Sequence, residues 1–247
     1  MAAGTVRIGI GGWTYPPWRG VFYPDKLAQT KELEYASRRL GAIEINATFY
    51  GRQSPKSWQK WADTAPDGFQ FAVKGSRYCV MKPKLAEAAE GLSGFFAQGL
   101  AALGPKLGPI LWQFASRRKF DRDDIAGFID LLPEKLDGIT LRHAIEPRNE
   151  TFRDESFFEL CRARNIAVVL EDSDEYPTIE ADTADFAYAR LQRMSEDVPT
   201  GYDDAALDGF EKRALEWQAR GDAYIFMING AKVRAPAAAL PLQERLR

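Results

Sequence analysis

Along this 247-residue chain, short runs of alternating apolar and polar residues keep trading places with helical patterns. Side chains alternate faces along a strand, whereas a helix repeats its apolar positions every three or four residues. On that basis residues 6–12, 42–50, 69–74, 107–114, 141–148, 167–172, 186–191 and 223–229 carry strands. Residues 29–40, 55–64, 85–103, 122–132, 154–164 and 203–220 carry helices, with a weaker helix at 235–246 and a poorly helical connection after the sixth strand. Eight such strands predict one (β/α)8 TIM-type barrel over residues 1–247, a fold of about 250 residues. The alternative is an open doubly wound sheet. Its phosphate fingerprint is missing, because Gly9-Ile10-Gly11-Gly12 is not GxGxxG in register.

The second strand sets the orientation of the rest. Ile43 and Ile45 face one way, and Glu44 and Asn46 the other. In a barrel the first pair packs on helices and the second fills the interior or reaches the mouth. Parity and strand ends together nominate Glu44, Asn46, Lys74, Gln113, Glu146, Arg148, Asp172, Arg190 and Asn229 as a polar set at the C-terminal mouth. A purely structural barrel would favour branched apolar residues there.

Charge and residue usage exclude several classes. Lys and Arg number 33 against 35 Asp and Glu, a net charge of −2, so the chain as a whole is not drawn to nucleic acid or anionic membrane. No apolar run approaches the length of a membrane span, and no signal-peptide core is visible, which makes a cytoplasmic protein the default. Cys79 and Cys161 are expected to be free thiols. With one histidine, a histidine-rich zinc cluster is impossible. His143 starts a strand and should lie away from the mouth.

The loops after the strands are more basic than the chain. They carry Arg19, Arg52, Lys56, Arg77, Arg117, Arg118, Lys119, Arg153, Arg193, Lys232 and Arg234, with acidic clustering only after the sixth strand. Such a mouth attracts anions. The loop after the first strand is aromatic. Trp13 and Trp18, with Tyr50 from the second connection, are candidate walls of a binding site.

These residues carry a resemblance to the YecE-like family, a TIM-barrel family of unknown function. The carriers are Gly11-Gly12-Trp13-Thr14-Tyr15 with Trp18-Arg19-Gly20 and Phe22-Tyr23-Pro24, then Glu44-Ile45-Asn46 with Thr48-Phe49-Tyr50, then Pro66-Asp67-Gly68-Phe69 with Phe71-Ala72-Val73-Lys74. Gly108-Pro109-Ile110-Leu111-Trp112-Gln113, Glu146 with Arg148, and Asn229 complete it. The family is similar to endonuclease IV-like barrels, which is analogy of fold. This chain departs from the pattern: Arg190-Leu191-Gln192-Arg193 keeps an arginine and lacks a usual histidine, and Asn149 stands where many members have histidine. The resemblance implies a fold and a site position, with no established reaction.

Three chemistries fit this residue set, with hydrolase and lyase activity both open. Glu44 and Glu146 could serve as acid and base on a small phosphorylated or carboxylated substrate held by Arg148 and Arg190. Lys74 could form a Schiff base, its pKa lowered by burial or Arg148. Glu44, Glu146 and Asp172 could hold Mg²⁺ or Mn²⁺ for phosphodiester chemistry of the endonuclease IV-like type, although nearby Lys and Arg could neutralise them instead and no cofactor is required. A non-catalytic alternative is nucleic-acid binding, with Trp13, Trp18, Phe49 and Tyr50 as stacking platforms.

Overall fold

The structure, a computed structural model, describes residues 3–247. Its barrel strands are β1 (Val6–Gly11), β2 (Ala42–Ile45), β3 (Gln70–Lys74), β4 (Leu107–Gln113), β5 (His143–Glu146), a split β6 (Ala167–Val168 and Leu170–Asp172), β7 (Phe186–Leu191) and β8 (Asp222–Met227). All pair in parallel, in the hydrogen-bonded order β6-β5-β4-β3-β2-β1-β8-β7-β6. The two segments of β6 close the ring. The first pairs with β5, the second with β7, and between them the Val169 N–H donates to the Ile145 carbonyl at 2.9 Å. The chain is therefore a single α/β TIM-type barrel.

Alternation along the strands produces two apolar cores. Ile8, Ile10, Ile43, Ile45, Phe71, Val73, Ile110 and Trp112 point outward and pack under the helices. Ala42, Ala72, Leu111, Ala144, Tyr188, Tyr224 and Phe226 fill the interior. Small residues face large ones there, as a narrow barrel requires. Gly9 extends that rule, since a Cβ on it would lie 2.3 Å from the Ala42 carbonyl oxygen and 2.9 Å from the Phe226 ring.

The helices are α1 (Glu32–Ser37), α2 (Ala47–Tyr50), α3 (Pro55–Thr64), α4 (Arg77–Val80), α5 (Ala89–Phe96), α6 (Arg122–Asp130), α7 (Glu155–Ala163), α8 (Asp204–Gln218) and α9 (Ala235–Arg245). Ser54 caps α3 by accepting from the Ser57 N–H at 3.1 Å, with Pro55 opening the helix. Asp154 and Asp203 cap α7 and α8 in the same way. Three expectations need correction. The strand expected over 42–50 ends at Ile45, where Asn46 turns to φ −93°, ψ −17° and starts α2. The helix expected over 85–103 breaks into 3₁₀ turns around α5, because Gly99 takes φ +104° and stops it. The helix expected over 29–40 is only α1 behind a 3₁₀ turn.

Cys79 and Cys161 are buried free thiols. His143 opens β5, buried beside Trp112 and away from the mouth. Among the described residues no helix is long and apolar enough to cross a membrane.

Candidate functional site

Inside the barrel, directly beneath its C-terminal mouth, lies a sealed ion network. Glu44 of β2, Glu146 of β5, Glu171 of β6 and Arg190 of β7 are each at most 1% exposed. Arg190 grips Glu44 with two bonds, Nη2 to Oε1 at 3.0 Å and Nε to Oε2 at 3.1 Å. Its third nitrogen, Nη1, donates to Glu146 Oε2 at 2.6 Å. Planar guanidinium suits such forked pairing. The Tyr188 hydroxyl, two residues back on the same face of β7, donates to Glu44 Oε2 at 2.7 Å.

Arg148 extends the network upward. Its Nε donates to Glu146 Oε1, its Nη2 lies 3.0 Å from Glu171 Oε1, and its guanidinium stacks 3.9 Å above the Tyr176 ring. Gln192 donates its amide to Glu171. On the opposite side Gln113 donates Nε2 to both Glu146 oxygens, at 2.8 and 3.1 Å. That fixes the Gln113 carbonyl to face Lys74, whose ammonium donates to it at 2.9 Å.

These contacts separate two carboxyls. Burial alone would raise Glu146, but Arg190, Arg148 and Lys74 overcome it and hold the carboxyl well below its ordinary range. Glu171 moves the other way. Burial first, then the Glu146 charge, lift it far enough that it keeps its proton at neutral pH, against the pull of Arg148. Glu44 and Glu146 thus meet two guanidiniums, Arg190 bonding to both and Arg148 to Glu146. Lys74 is lowered to about 8, chiefly by burial and next by the Arg190 charge, while Glu146 and Glu44 partly restore it.

Above the network opens a cavity of about 590 Å³. Its charged lining is Lys74, Arg148, Arg190 and Lys232, with no Asp or Glu among the described residues. Asn46, Gln113 and Asn229 add amides, and Trp13, Phe49 and Tyr50 add rings. Lys74 sits 4.7 Å from the Phe49 ring centre. Trp13 is steadied by Trp61, 5.2 Å away and nearly perpendicular. Asn229 and Gly230 both take left-handed backbone, φ +56° and +54°. A Cβ on Gly230 would lie 2.2 Å from the Gln192 carbonyl oxygen, so the turn that carries Asn229 to the cavity needs glycine.

The structure thus gathers Glu44, Asn46, Lys74, Gln113, Glu146, Arg148, Arg190, Asn229, Trp13 and Tyr50 at or under one mouth. Two nominees lie elsewhere. Asp172 turns out of the interior to meet Arg193 and the Tyr202 hydroxyl, the latter at 3.0 Å. Its neighbour Glu171 has the inward parity, in step with Ala167 and Val169 of the inner core. Counting from those two residues would have found it. Trp18 is wholly buried, since its loop folds inward and its Nε1 donates to the Lys232 carbonyl at 2.9 Å. It supports Lys232, which lies 5.8 Å from its ring centre, instead of lining the cavity. Tyr188 and Gln192 share Arg190's parity and were equally findable.

The set Glu44, Glu146 and Asp172 does not converge on a common point. Among the described residues no three His, Cys, Asp or Glu side chains are placed to hold a metal ion.

Residues 7–247 match the family model described as "Protein of unknown function DUF72". The UPF0759 protein YunF of Bacillus subtilis (strain 168) is 25% identical over 159 residues, 62% of this chain and 54% of YunF. The chain therefore spans about half the length of that curated relative. A DUF72 family protein from Thermotoga maritima MSB8 superposes with a TM-score of 0.77 at 23% identity, covering 98% of this chain and 99% of that one. Another from Enterococcus faecalis V583 gives 0.73 at 16% identity, covering 100% and 99%. With a family model matched from the first strand through the last helix and solved members sharing its barrel, the chain belongs to the DUF72 family.

Proposed function

We propose that the mouth is the active site of an enzyme acting on a small anionic carbonyl compound, phosphorylated or carboxylated, and that Lys74 is its reactive amine. The observation that carries this reading is the cavity lining: every charged group on it is cationic, and one of them is a lysine held near 8. Arg148 and Lys232, the latter lowered by burial, both line the cavity and supply charge to an incoming phosphate or carboxylate. Glu44 and Glu146 have no access to it. Their work is to hold Arg190 and Arg148 rigid, which removes the reorganisation an anion would otherwise have to induce.

A lysine near 8 is a substantial fraction neutral amine at physiological pH, whereas an ordinary one near 10.4 is almost wholly ammonium. The neutral Nζ adds to the carbonyl carbon, forming a C–N bond as the carbonyl oxygen takes up a proton. Loss of that oxygen as water leaves an imine. Protonated, the imine draws the electron pair of an adjacent C–H or C–C bond, which is lyase or isomerase chemistry. The Gln113 carbonyl aims the amine.

Borohydride reduction in the presence of keto acids and sugar phosphates tests the proposal. A stable adduct on Lys74, absent in Lys74→Met, is expected. Wild-type protein that gains no adduct across the panel would overturn the lysine chemistry. Phosphate or carboxylate ligands that raise Tm equally in wild type and Arg148→Ala would overturn the anion site.

A further inference from the structure

The rim outside this cavity is strongly one-sided. Past β2, β3 and β4, Arg52, Arg77, Lys82, Arg117 and Lys119 stand without a carboxylate within 4 Å among the described residues. Past β5, β6 and β7 the pattern reverses: Arg153 pairs with Glu150, and Arg193 with Asp172 and Asp174. Lys232 and Arg234 past β8 are likewise unpaired among the described residues and Arg118 meets Asp124, yet the longest run of uncompensated cations on this chain of net charge −2 lies along the arc past β2, β3 and β4.

The same arc is concave and carries exposed rings. A hollow of about 300 Å³ between α2, α4 and α5 is lined by Arg52, Ser76, Tyr78 and Lys82, with Glu90 its one acidic residue. The next hollow, about 430 Å³, shares Lys82 and adds Arg117, Arg118 and Lys119. Arg52 is seated by design of α5, since its guanidinium lies 2.2 Å from where a Cβ on Gly94 would be. Of the large apolar side chains most exposed in the molecule, Tyr50 at 68% and Tyr78 at 61% both lie here, Tyr50 on the edge of the mouth cavity.

We propose that this arc, from Tyr50 across Arg52, Tyr78 and Lys82 to Lys119, is a binding track for single-stranded nucleic acid. Three features select that partner. A groove of spaced, unpaired Arg and Lys tracks a phosphate chain, and exposed tyrosines offer faces on which bases stack. Acidic peptides have no use for the open rings. An anionic membrane favours a convex apolar face, and this surface is a row of hollows. The track uses other side chains than the Lys74 chemistry and goes beyond it.

Fluorescence anisotropy of labelled 20-mer oligo-dT and oligo-U, against a duplex of the same length, tests the track. Both single strands should bind at low salt more tightly than the duplex, with affinity falling as salt rises. The exposed triple variant Lys82→Ala/Arg117→Ala/Lys119→Ala should weaken binding at least tenfold and reduce the salt slope by about two, at about 0.7 per lost phosphate contact. Tyr78→Ala should weaken it about tenfold. Arg153→Ala/Arg193→Ala, on the paired arc, should change nothing. No binding by wild type, binding undiminished in the triple variant, preference for duplex, or tighter capture by phosphatidylserine vesicles would each overturn the proposal. Because Lys74 and Arg148 are intact in the triple variant, borohydride trapping there reports the mouth separately. Trapping can fail while the track holds, and the track can fail while trapping succeeds.

Discussion

Arg190 Nη1 and Glu146 Oε2 meet at 2.6 Å in a part of the barrel that water does not reach. Each holds the other's charge, and removing one strands its partner. Arg190→Met should therefore cost about 3–5 kcal/mol, the range for orphaning a buried charge, and lower Tm by roughly 10 °C. The double variant Arg190→Met/Glu146→Gln should recover part of that loss. Thermal and urea unfolding of wild type, the two single variants and the double measure it, and a double variant no more stable than Arg190→Met would contradict the pairing.

Glu171 and Glu146 are both buried carboxyls beside Arg148, yet they should respond oppositely to amide replacement. Glu171 already carries a proton at neutral pH, so Glu171→Gln should change stability by less than about 1 kcal/mol at pH 7. Glu146→Gln removes a charge that two guanidiniums and Lys74 rely on, and should cost several times more. Equal losses in the two variants would refute the assignment of the proton.

Lys74 should be the fastest-labelled lysine near neutrality. Its acylation rate, followed by peptide mass spectrometry, should rise with pH through a midpoint near 8, when ordinary lysines are still ammonium. Saturating phosphate should move that midpoint upward, because an anion in the cavity favours the charged form. A midpoint above 10 without ligand would argue that the amine is not desolvated.

His143 should make the fold acid-sensitive. Its Nδ1 accepts from Trp112 Nε1 at 3.1 Å and its Nε2 contacts the Pro133 carbonyl at 2.8 Å, so an added proton would face an N–H donor. Burial lowers it from 6.5 to about 4. The unfolded chain then takes up a proton between those values that the folded chain refuses. Stability is full above pH 6.5 and falls as pH drops toward 4, by up to about 3 kcal/mol at 1.36 per pKa unit. His143→Gln should flatten that part of the stability–pH curve, whatever it does to stability at pH 7.

Strand parity made most of this legible in advance. Glu44, Gln113, Glu146 and Arg190 could be placed inward because barrel strands alternate without exception over the residues concerned. Asp172 was chosen for its place at a strand end, and there parity was the better guide, since it selects Glu171. Trp18 shows where residue patterns stop being informative. Its burial depends on how a loop of 3₁₀ turns folds back on α9's approach, and no periodicity encodes that. The break at Gly99 is similar, because apolar spacing continues through a residue whose backbone has left the helix.

The network beneath the mouth binds β2, β5, β6 and β7 to one another, and only its two guanidiniums, Arg148 and Arg190, reach the cavity. The floor of the site is in effect a fixed chassis, and the loops above it are interchangeable bodywork. A lineage could exchange what it recognises by rewriting the loops that carry Trp13, Tyr50 and Lys232, while the charged lattice below stays as it is and keeps presenting the same amine and guanidiniums to whatever new ligand arrives.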